Sequence, residues 1–562
     1  MLELADAYWE FQLREHPYVS HGQGDQRYGR DLFRESIADY ARRDRLRSDF
    51  QQALATIDHA RLNGQNRITF ELLARELTEA REQFRFQSHL RPLLFPLGPD
   101  GMVADAIQKT AVSNPAEAED YIARMETVPA FFADQSERLW AGLDQGFRLP
   151  GVLLQRIQGS TQSYLSSPAE KSVWFKPLAR STGTESLARS RASLCKLIEA
   201  KIRPAYRQWI DMLQEKYAVH CRDSIATRDE PDGEGFYQFL VRHYTSSELP
   251  ASGIHELGHK EVRRITAGMQ AIARRSGHAG DLDGMRKLLP ADPRFRATSG
   301  ENLREMFQIL AKRIDRLIPE YFGHLPRMTF GVESVPEELA ANVPPAYAQP
   351  NPPNGGTSGI FWITSLPDRC PTYLHVPLTL HEAWPGHLMH LALMQEMSNL
   401  PAFRRNGLAG YTAFIEGWGL YCEQLGHDFG LYDDPLAYYG CLEMEMWRAV
   451  RLVVDTGIHL YGWSRDQSIE YMARHLTLNL ATIEAEVDRY IGMPAQALAY
   501  QIGGLKFLEL RQRARSQLGE SFNLRELHDR FMDAGPVTLG LLDTHVQTWI
   551  DSCRDASERS AK

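Results

Sequence analysis

Apolar residues recur at three- and four-residue spacing through most of the first 330 residues, which is the pattern of amphipathic helices. Clear examples are the stretches DAYWEFQLRE, SLARSRASLCKLIEAKIRPAYRQWIDMLQEKY and ENLREMFQILAKRIDRLIPEYF. Short segments rich in Pro, Gly and Asp separate such stretches, at residues 95–101, 227–235 and 289–295. The pattern predicts a helical scaffold without a fixed-period repeat.

The texture of the sequence changes at residue 343. The segment VPPAYAQPNPPNGG contains five prolines, and the stretches GGTSGIFWITS and PTYLHVP that follow are rich in aromatic and β-branched residues, which predicts two short strands. These lead directly into TLHEAWPGHLMHLALMQEM, and helical spacing then continues to residue 555. We therefore predict a mainly α, multi-helix fold with a small β-sheet beside the helix of the HEAWPGH segment. Its two parts, 1–330 and 331–562, are expected to belong to one module.

Composition and charge narrow the class of protein. Of the 562 residues, 43% are hydrophobic and 24% are charged, which is typical of a globular protein. The formal net charge of −9 argues against a duplex nucleic acid partner, because binding to phosphates requires a concentrated Lys/Arg surface. A peptide or a small molecule is the expected partner.

Cysteine usage and the first residues bear on location. Six cysteines lie far apart without a CxxC pair, so neither a disulfide framework nor a thiolate zinc site is predicted. The start of the chain lacks the basic end and apolar run of a signal peptide. No apolar stretch of about 18 residues suggests a membrane span. We expect a cytoplasmic protein without a membrane partner, and the oligomeric state stays open.

A first candidate zinc motif is HELGH at residues 255–259, which matches the HExxH signature. A hydrolytic zinc site needs three protein ligands, an open position for water and a carboxylate base. On a helical wheel, His255 and His259 lie at the edge of an apolar stripe, and Glu256 points outward. The nearest downstream glutamates, Glu301 and Glu305, belong to an ordinary charged amphipathic stretch. A surface helix is therefore the favoured interpretation, with metal at the two histidines as an alternative.

A second candidate is HEAWPGH at residues 381–387. Its histidines are six residues apart, which on a regular helix places them about 9 Å apart along the axis and on different faces. The intervening Trp-Pro-Gly interrupts regular helix geometry. We predict a two-residue bulge that returns His387 to the side of His381, so that both bind one ion with Glu382 beside it. His390 competes as a ligand, and a kinked buried helix with structural histidines is the alternative.

A third ligand is available in YTAFIEGWGLYCEQLGHDFG, where Glu416 is crowded by residues such as Phe414 and Trp418. Burying an unpaired carboxylate costs several kcal/mol, and a metal ion would compensate that cost. Glu423 lies two turns later on the same face. It could orient a metal ligand or form an ordinary salt bridge.

A charged stripe follows in MEMWRAVRLVVDTGIHLYGW, where Arg448, Arg451, Asp455 and His459 share one face of an otherwise apolar helix. Such a stripe lines either a solvated cleft or a buried ion network. His459 is a candidate hydrogen-bond donor to a tetrahedral oxyanion. The arginines could bind a substrate carboxylate or have a purely structural role.

Four segments in order, HEAWPGH, EGWGLYCE, RAVRLVVDTGIH and PAQALAYQIGGLKFLELR, closely resemble the bacterial domain of unknown function 885 family, and the likeness covers nearly the whole chain. Proteins of that family look like mainly helical zinc metallopeptidases of the gluzincin kind. The resemblance implies one Zn²⁺ held by His381, His387 and Glu416, with Glu382 as the general base. The family commonly has a second His directly after PGH, where this chain has Leu388.

The resemblance also favours Tyr500 as a phenol that hydrogen-bonds the oxyanion, although a packed helix tyrosine would look the same. We therefore predict a zinc metallopeptidase in which Glu382 accepts a proton from a metal-activated water that attacks a peptide carbonyl. Tyr500 or His459 would stabilise the developing charge. Hydrolysis of a non-peptide amide or ester at the same metal is one alternative, and a non-catalytic helical protein that binds metal or peptide is another. The presence of Glu382 argues against the latter, because a purely structural site needs no base.

Overall fold

A computed structural model of the chain describes residues 1–560 except 24, 97, 109, 182–186, 278–280, 290–291, 341–342, 353–355 and 407–410. The protein is mainly helical, as predicted. In chain order, its helices are α1 (Leu2–Glu15), α2 (Pro17–Gly22), α3 (Ile37–Ala55), α4 (Gly64–Arg85), α5 (Pro99–Gln108), α6 (Pro115–Glu126), α7 (Val128–Asp144), α8 (Gly151–Ser163), α9 (Lys176–Ala179), α10 (Ala188–Leu197), α11 (Arg203–Asp211), α12 (Gly233–Thr245), α13 (Ala251–Arg275), α14 (Leu282–Leu288), α15 (Gly300–Asp315), α16 (Ile318–Tyr321), α17 (Glu337–Ala340), α18 (His375–Glu382), α19 (His387–Glu396), α20 (Ala402–Asn406), α21 (Thr412–Gln424), α22 (Pro435–His459), α23 (Arg465–His475), α24 (Leu480–Gly492), α25 (Ala499–Leu518), α26 (Leu524–Met532) and α27 (Leu539–Ser560). Within the described ranges, no helix is both long and apolar enough to span a bilayer.

The chain folds into two compact units. The first comprises residues 1–236 and 488–493, and the second comprises residues 237–487 and 494–562. The boundary expected near residue 330 lies inside the second unit. The change in sequence texture at residue 343 coincides with the small sheet described below.

The first unit is built from helices around buried aromatic side chains. The rings of Trp174 and Tyr206 lie 5.0 Å apart, and Phe132 contacts both Tyr206 and Trp209 at 4.8 and 5.5 Å between ring centroids. Aromatic side chains bury a large apolar area each, so such a cluster contributes strongly to the stability of the unit.

Two close helix pairs organise the second unit. The long helices α13 and α22 pack along each other, and α21 packs along α25. The second pair is close because glycines face each other: a Cβ added at Gly503 would lie 1.9 Å from the carbonyl oxygen of Ala413 and 2.7 Å from the Cα of Gly417. Larger residues at these positions would separate the two helices.

A three-stranded sheet lies in the second unit, formed by β1 (Phe330–Ser334), β2 (Ala346–Gln349) and β3 (Gly359–Ile363). The order is β1-β3-β2, with β1 parallel and β2 antiparallel to β3. The strand predicted in GGTSGIFWITS is thus confirmed over GIFWI, while Gly355 lies outside the described residues. The strands β1 and β2 were not predicted, because their pairing with β3 is non-local.

The strand predicted for PTYLHVP is wrong. Residues 372–374 form a turn of 3₁₀-helix, in which the N–H of Leu374 donates to the carbonyl of Pro371 at 3.0 Å, and α18 begins at His375. Pro377 falls in the first turn of α18, where the missing N–H of proline has no intrahelical partner to lose. Its β-branched and aromatic neighbours are therefore accommodated in a helix start.

Candidate metal centre

The HEAWPGH segment forms a break between two helices, so the predicted bulge within one helix is wrong. Helix α18 ends at Glu382, and α19 begins at His387. Gly386 lies against the end of α18, where a Cβ would be 1.9 Å from the carbonyl oxygen of His381, so no larger residue fits. The indole N–H of Trp418 donates to the carbonyl of Pro385 at 3.0 Å and holds the turn.

The break brings His381, His387 and Glu416 together. Within the described chain, these are the residues that form a His/Cys/Asp/Glu group with ligand atoms all within 4.8 Å of one another. The Oε2 atom of Glu416 lies 3.6 Å from Nε2 of His381 and 3.4 Å from Nε2 of His387. Two ligand atoms on a tetrahedral zinc ion, each about 2.0–2.1 Å from it, are about 3.3–3.4 Å apart. The observed separations therefore fit one shared ion.

The charges of the three side chains are strongly coupled. Burial alone would lower the pKa of His381, but the carboxylates of Glu416 and Glu423 raise it to about 9. Burial alone would raise the pKa of Glu416, but His381 and His387 hold it well below its usual range. Glu416 is thus an ionised carboxylate that needs a positive partner. A cation bound between the three side chains would meet the same need.

Helix α21 fixes the direction of the His381 ring. The Nδ1 atom of His381 lies 2.8 Å from Oε1 of Glu423, which is fully buried. Glu423 as acceptor keeps a proton on Nδ1, so a bound metal ion would replace the proton on Nε2, the nitrogen that faces Glu416. Gly419 provides room for the ring, because a Cβ there would lie 2.7 to 2.9 Å from three ring atoms. The sequence leaves the role of Glu423 open, and Gly419 is not among the residues predicted for the site.

Glu382 occupies the last position of α18, directly after His381. Its Oε2 atom accepts a hydrogen bond of 3.0 Å from the backbone N–H of Ala348 in β2. This contact ties the sheet to the end of α18 and holds the carboxylate close enough to His381 to help raise the pKa of that imidazole. It also explains why the β-sheet lies beside this helix, as the sequence predicted.

His390 lies one turn beyond His387 but outside the cluster. Its ring is buried 5.4 Å from that of Phe414. Burial and the neighbouring His387 lower the pKa of His390 to about 3, so its imidazole is neutral. The structure thus does not bring the competing ligand of the sequence analysis to the same point.

The charged face of α22 is buried along its length rather than open to solvent. Arg448 lies 3.3 Å from the carboxylate of Glu423, and Arg451 lies 3.2 Å from that of Glu486. Asp455 accepts hydrogen bonds from the hydroxyl of Tyr237 and the backbone N–H of Ala495, at 2.6 and 3.0 Å. The sequence left open whether this face lines a solvated cleft or forms a buried ion network, and these contacts are those of a buried ion network.

The two candidates for oxyanion stabilisation lie in different places. His459 is packed against the ring of Tyr237, with 5.2 Å between ring centroids. It lies about three turns, or about 16 Å, along α22 beyond Arg448. Tyr500 is half-buried in α25, with the guanidinium of Arg451 over its ring at 4.4 Å. Helix α25 meets α21 at Gly503 and Gly417, which directly follows Glu416 in the chain, and Tyr500 lies three residues before Gly503.

The histidines of HELGH form a hydrogen-bonded chain within the α13–α22 pair. The Oγ1 atom of Thr456 donates to the carbonyl of Leu452, so it accepts from Nδ1 of His255 at 2.7 Å. The two Nε2 atoms of His255 and His259 lie 3.1 Å apart, and Nδ1 of His259 faces the hydroxyl of Tyr471. The arrangement gives each of these ring nitrogens a protein partner, and His255 is buried against α22 rather than on the surface helix that the sequence predicted.

A family model described as Bacterial protein of unknown function (DUF885) matches residues 19–546. No curated protein matches the chain. A crystal structure of a "putative lipoprotein" from Colwellia psychrerythraea is similar, with 27% identity, a TM-score of 0.90, and coverage of 98% of this chain and 99% of that chain.

A "putative lipoprotein of unknown function" from Shewanella oneidensis shares the fold, with 16% identity, a TM-score of 0.74, and coverage of 96% of this chain and 98% of that chain. The family match extends over more than nine-tenths of the sequence and includes all four segments on which the resemblance was based. The chain therefore belongs to the bacterial protein family of unknown function DUF885.

Proposed function

We propose that this protein is a zinc-dependent hydrolase that cleaves peptide bonds, with a metallopeptidase-like fold of the gluzincin kind. The observation that carries the proposal is the convergence of His381, His387 and Glu416 at separations of 3.4 and 3.6 Å around Oε2 of Glu416. Two neutral imidazoles and one carboxylate are a donor set that Zn²⁺ prefers and that leaves one position open. One Zn²⁺ bound there would lower the pKa of water and polarise a carbonyl group.

Glu382 is the general base in this proposal. Its Oε2 atom is held by the N–H of Ala348, so we assign proton transfer to Oε1. That oxygen takes a proton from the attacking water and returns it to the leaving nitrogen. Tyr500 is our first choice for a donor to the developing oxyanion, and His459 is the second.

The edge of β2 supports a peptide as the substrate. The N–H of Thr364 donates to the carbonyl of Pro345, so in this antiparallel pair Tyr347 faces β3 while Ala346 and Ala348 direct their backbone groups away from it. The outward N–H of Ala348 is the group that binds Glu382. An extended peptide added along this edge would run past the proposed base. A small ester or amide would not need such a strand.

The proposal is tested with Glu382→Gln, His387→Ala and His259→Ala, by measuring zinc content and turnover of a peptide library beside simple amides and esters. Glu382→Gln should keep one zinc per chain but lose about a thousandfold in turnover, because a positioned general base contributes about 10²–10⁴-fold. His387→Ala should lose the zinc, and the control His259→Ala should keep it. Full activity in zinc-loaded Glu382→Gln would refute the proposal. Loss of zinc only in His259→Ala would move the metal to the other motif.

A further inference from the structure

The guanidinium of Arg448 is buried next to Glu423, the residue that contacts His381 of the proposed metal centre. The Oε1 atom of Glu423 lies 2.8 Å from Nδ1 of His381 and 3.3 Å from Nη2 of Arg448. Glu423 is fully buried, and Arg448 is 5% exposed. A carboxylate and a guanidinium at this depth depend on each other, because neither is compensated by water.

The guanidinium of Arg448 is itself held in place. Its Nη1 atom donates to the carbonyl of Met444 one turn earlier in α22, at 3.2 Å. The ring of Trp447 lies 5.6 Å from its Cζ atom. The last turn of α21 is fixed as well, since the hydroxyl of Tyr432 donates to the carbonyl of Glu423 at 2.7 Å. Arg448 therefore has a defined direction and meets a carboxylate whose backbone is held by Tyr432.

We propose that Arg448 is a positioning residue for the metal centre and acts through Glu423, an inference that rests on the proposed function. By fixing the carboxylate of Glu423, it keeps one oxygen on Nδ1 of His381 and the other ring nitrogen turned toward Glu416. Without Arg448, the carboxylate of Glu423 would lose the ion pair that stabilises its present rotamer. The ring of His381 would then lose the acceptor that sets its tautomer and orientation.

The test is the zinc affinity of the full chain, measured by competition with a chromophoric chelator. We expect Arg448→Met and Glu423→Gln each to bind zinc at least about tenfold more weakly, as is typical when a group that orients a ligand is removed. The double variant should bind zinc as weakly as Glu423→Gln alone, because one residue acts through the other. A merely structural role would make the two losses multiply.

Arg511→Met is the matched control. Arg511 forms a partly buried pair with Asp428 in the same unit, at 2.6 Å, so its loss should lower the unfolding temperature without changing the zinc affinity. If Arg448→Met does not fold, Arg448→Lys is used instead. A single ammonium group cannot reproduce the directed contact of a guanidinium, so the zinc affinity of Arg448→Lys should fall between those of the wild type and Glu423→Gln. Wild-type affinity in a folded Arg448 variant overturns the inference alone. Equal, negligible zinc binding by wild type and His387→Ala overturns the metal centre and this inference together.

Discussion

Gly419→Ala tests whether the His381 ring is held at the position that a metal ion requires. Gly419 lies in the interior of α21, directly under that ring. An added Cβ would lie 2.7 Å from Cε1, 2.8 Å from Nε2 and 2.9 Å from Nδ1 of His381. The substitution is thus the smallest change that pushes on all three atoms without removing a ligand.

The size of the effect follows from these distances. Non-bonded carbon atoms prefer about 3.5–4.0 Å, so the ring must move by about 0.8 Å or the helix must give way. A zinc–nitrogen bond of about 2.0–2.1 Å does not tolerate such a displacement. We expect the zinc affinity to fall about a hundredfold, about 2.7 kcal/mol. In the metal-free protein, overpacking costs about 1–3 kcal/mol, and alanine returns about 1 kcal/mol of helix propensity.

The assay is zinc competition with a chelator, combined with thermal unfolding of the metal-free protein. Gly540→Ala is the matched control, because no atom lies within 4 Å of a Cβ at that position in α27. It should keep wild-type affinity and be neutral or slightly more stable. A Gly419→Ala protein that binds zinc within about threefold of the wild type would show that the ring position has no part in metal binding.

Two further expectations concern pH and packing. Because its carboxylate neighbours raise the pKa of His381 to about 9, zinc must displace a proton below that pH, so the zinc affinity should rise about tenfold per pH unit from about pH 7 to 9 and then level off; an affinity independent of pH would contradict this. The pKa of His381 is higher in the folded state than in the unfolded state, so protonated His381 stabilises the metal-free protein. This stabilisation is fully present below about pH 6.5 and is lost as the pH rises through about 9. Gly503→Ala should lower the free energy of unfolding by about 3 kcal/mol in urea titrations, since its Cβ would meet the rigid backbone of α21, and a change no larger than that of Gly540→Ala would refute the close packing.

Sequence periodicity was sufficient to predict the helices but insufficient to predict the whole sheet. Helices such as α13, α15 and α22 each carry their own three- and four-residue pattern, so local information defines them. Strand β2 is four residues long and follows a proline pair, and its stability comes from pairing with β3. That information is not present in the short segment itself. The same limit explains why PTYLHVP was assigned to a strand.

For the candidate site as well, local sequence indicated the residues but not the backbone geometry that brings them together. Residue types and motif spacing made His381, His387 and Glu416 candidates, the family resemblance implied them as one ligand set, and the structure brings their ligand atoms within 4.8 Å of one another. The route by which the two histidines meet was not predictable. A bulge and a break are both compatible with a Pro-Gly pair, and the break in this structure is held by a hydrogen bond from Trp418, which reaches the turn from another helix. Contacts between helices distant in sequence decide such details.

One face of α21 nevertheless carried a signal that spacing alone could have shown. Glu416, Gly419 and Glu423 are separated by three and four residues, so they share a face. In the structure that face gives, in order, a proposed ligand, the room for an imidazole ring and the acceptor for its Nδ1. A glycine between these two glutamates has no value for helix stability, since glycine costs about 1 kcal/mol relative to alanine. Its position therefore indicates that a bulky group from elsewhere in the chain must approach there, and the His381 ring is that group.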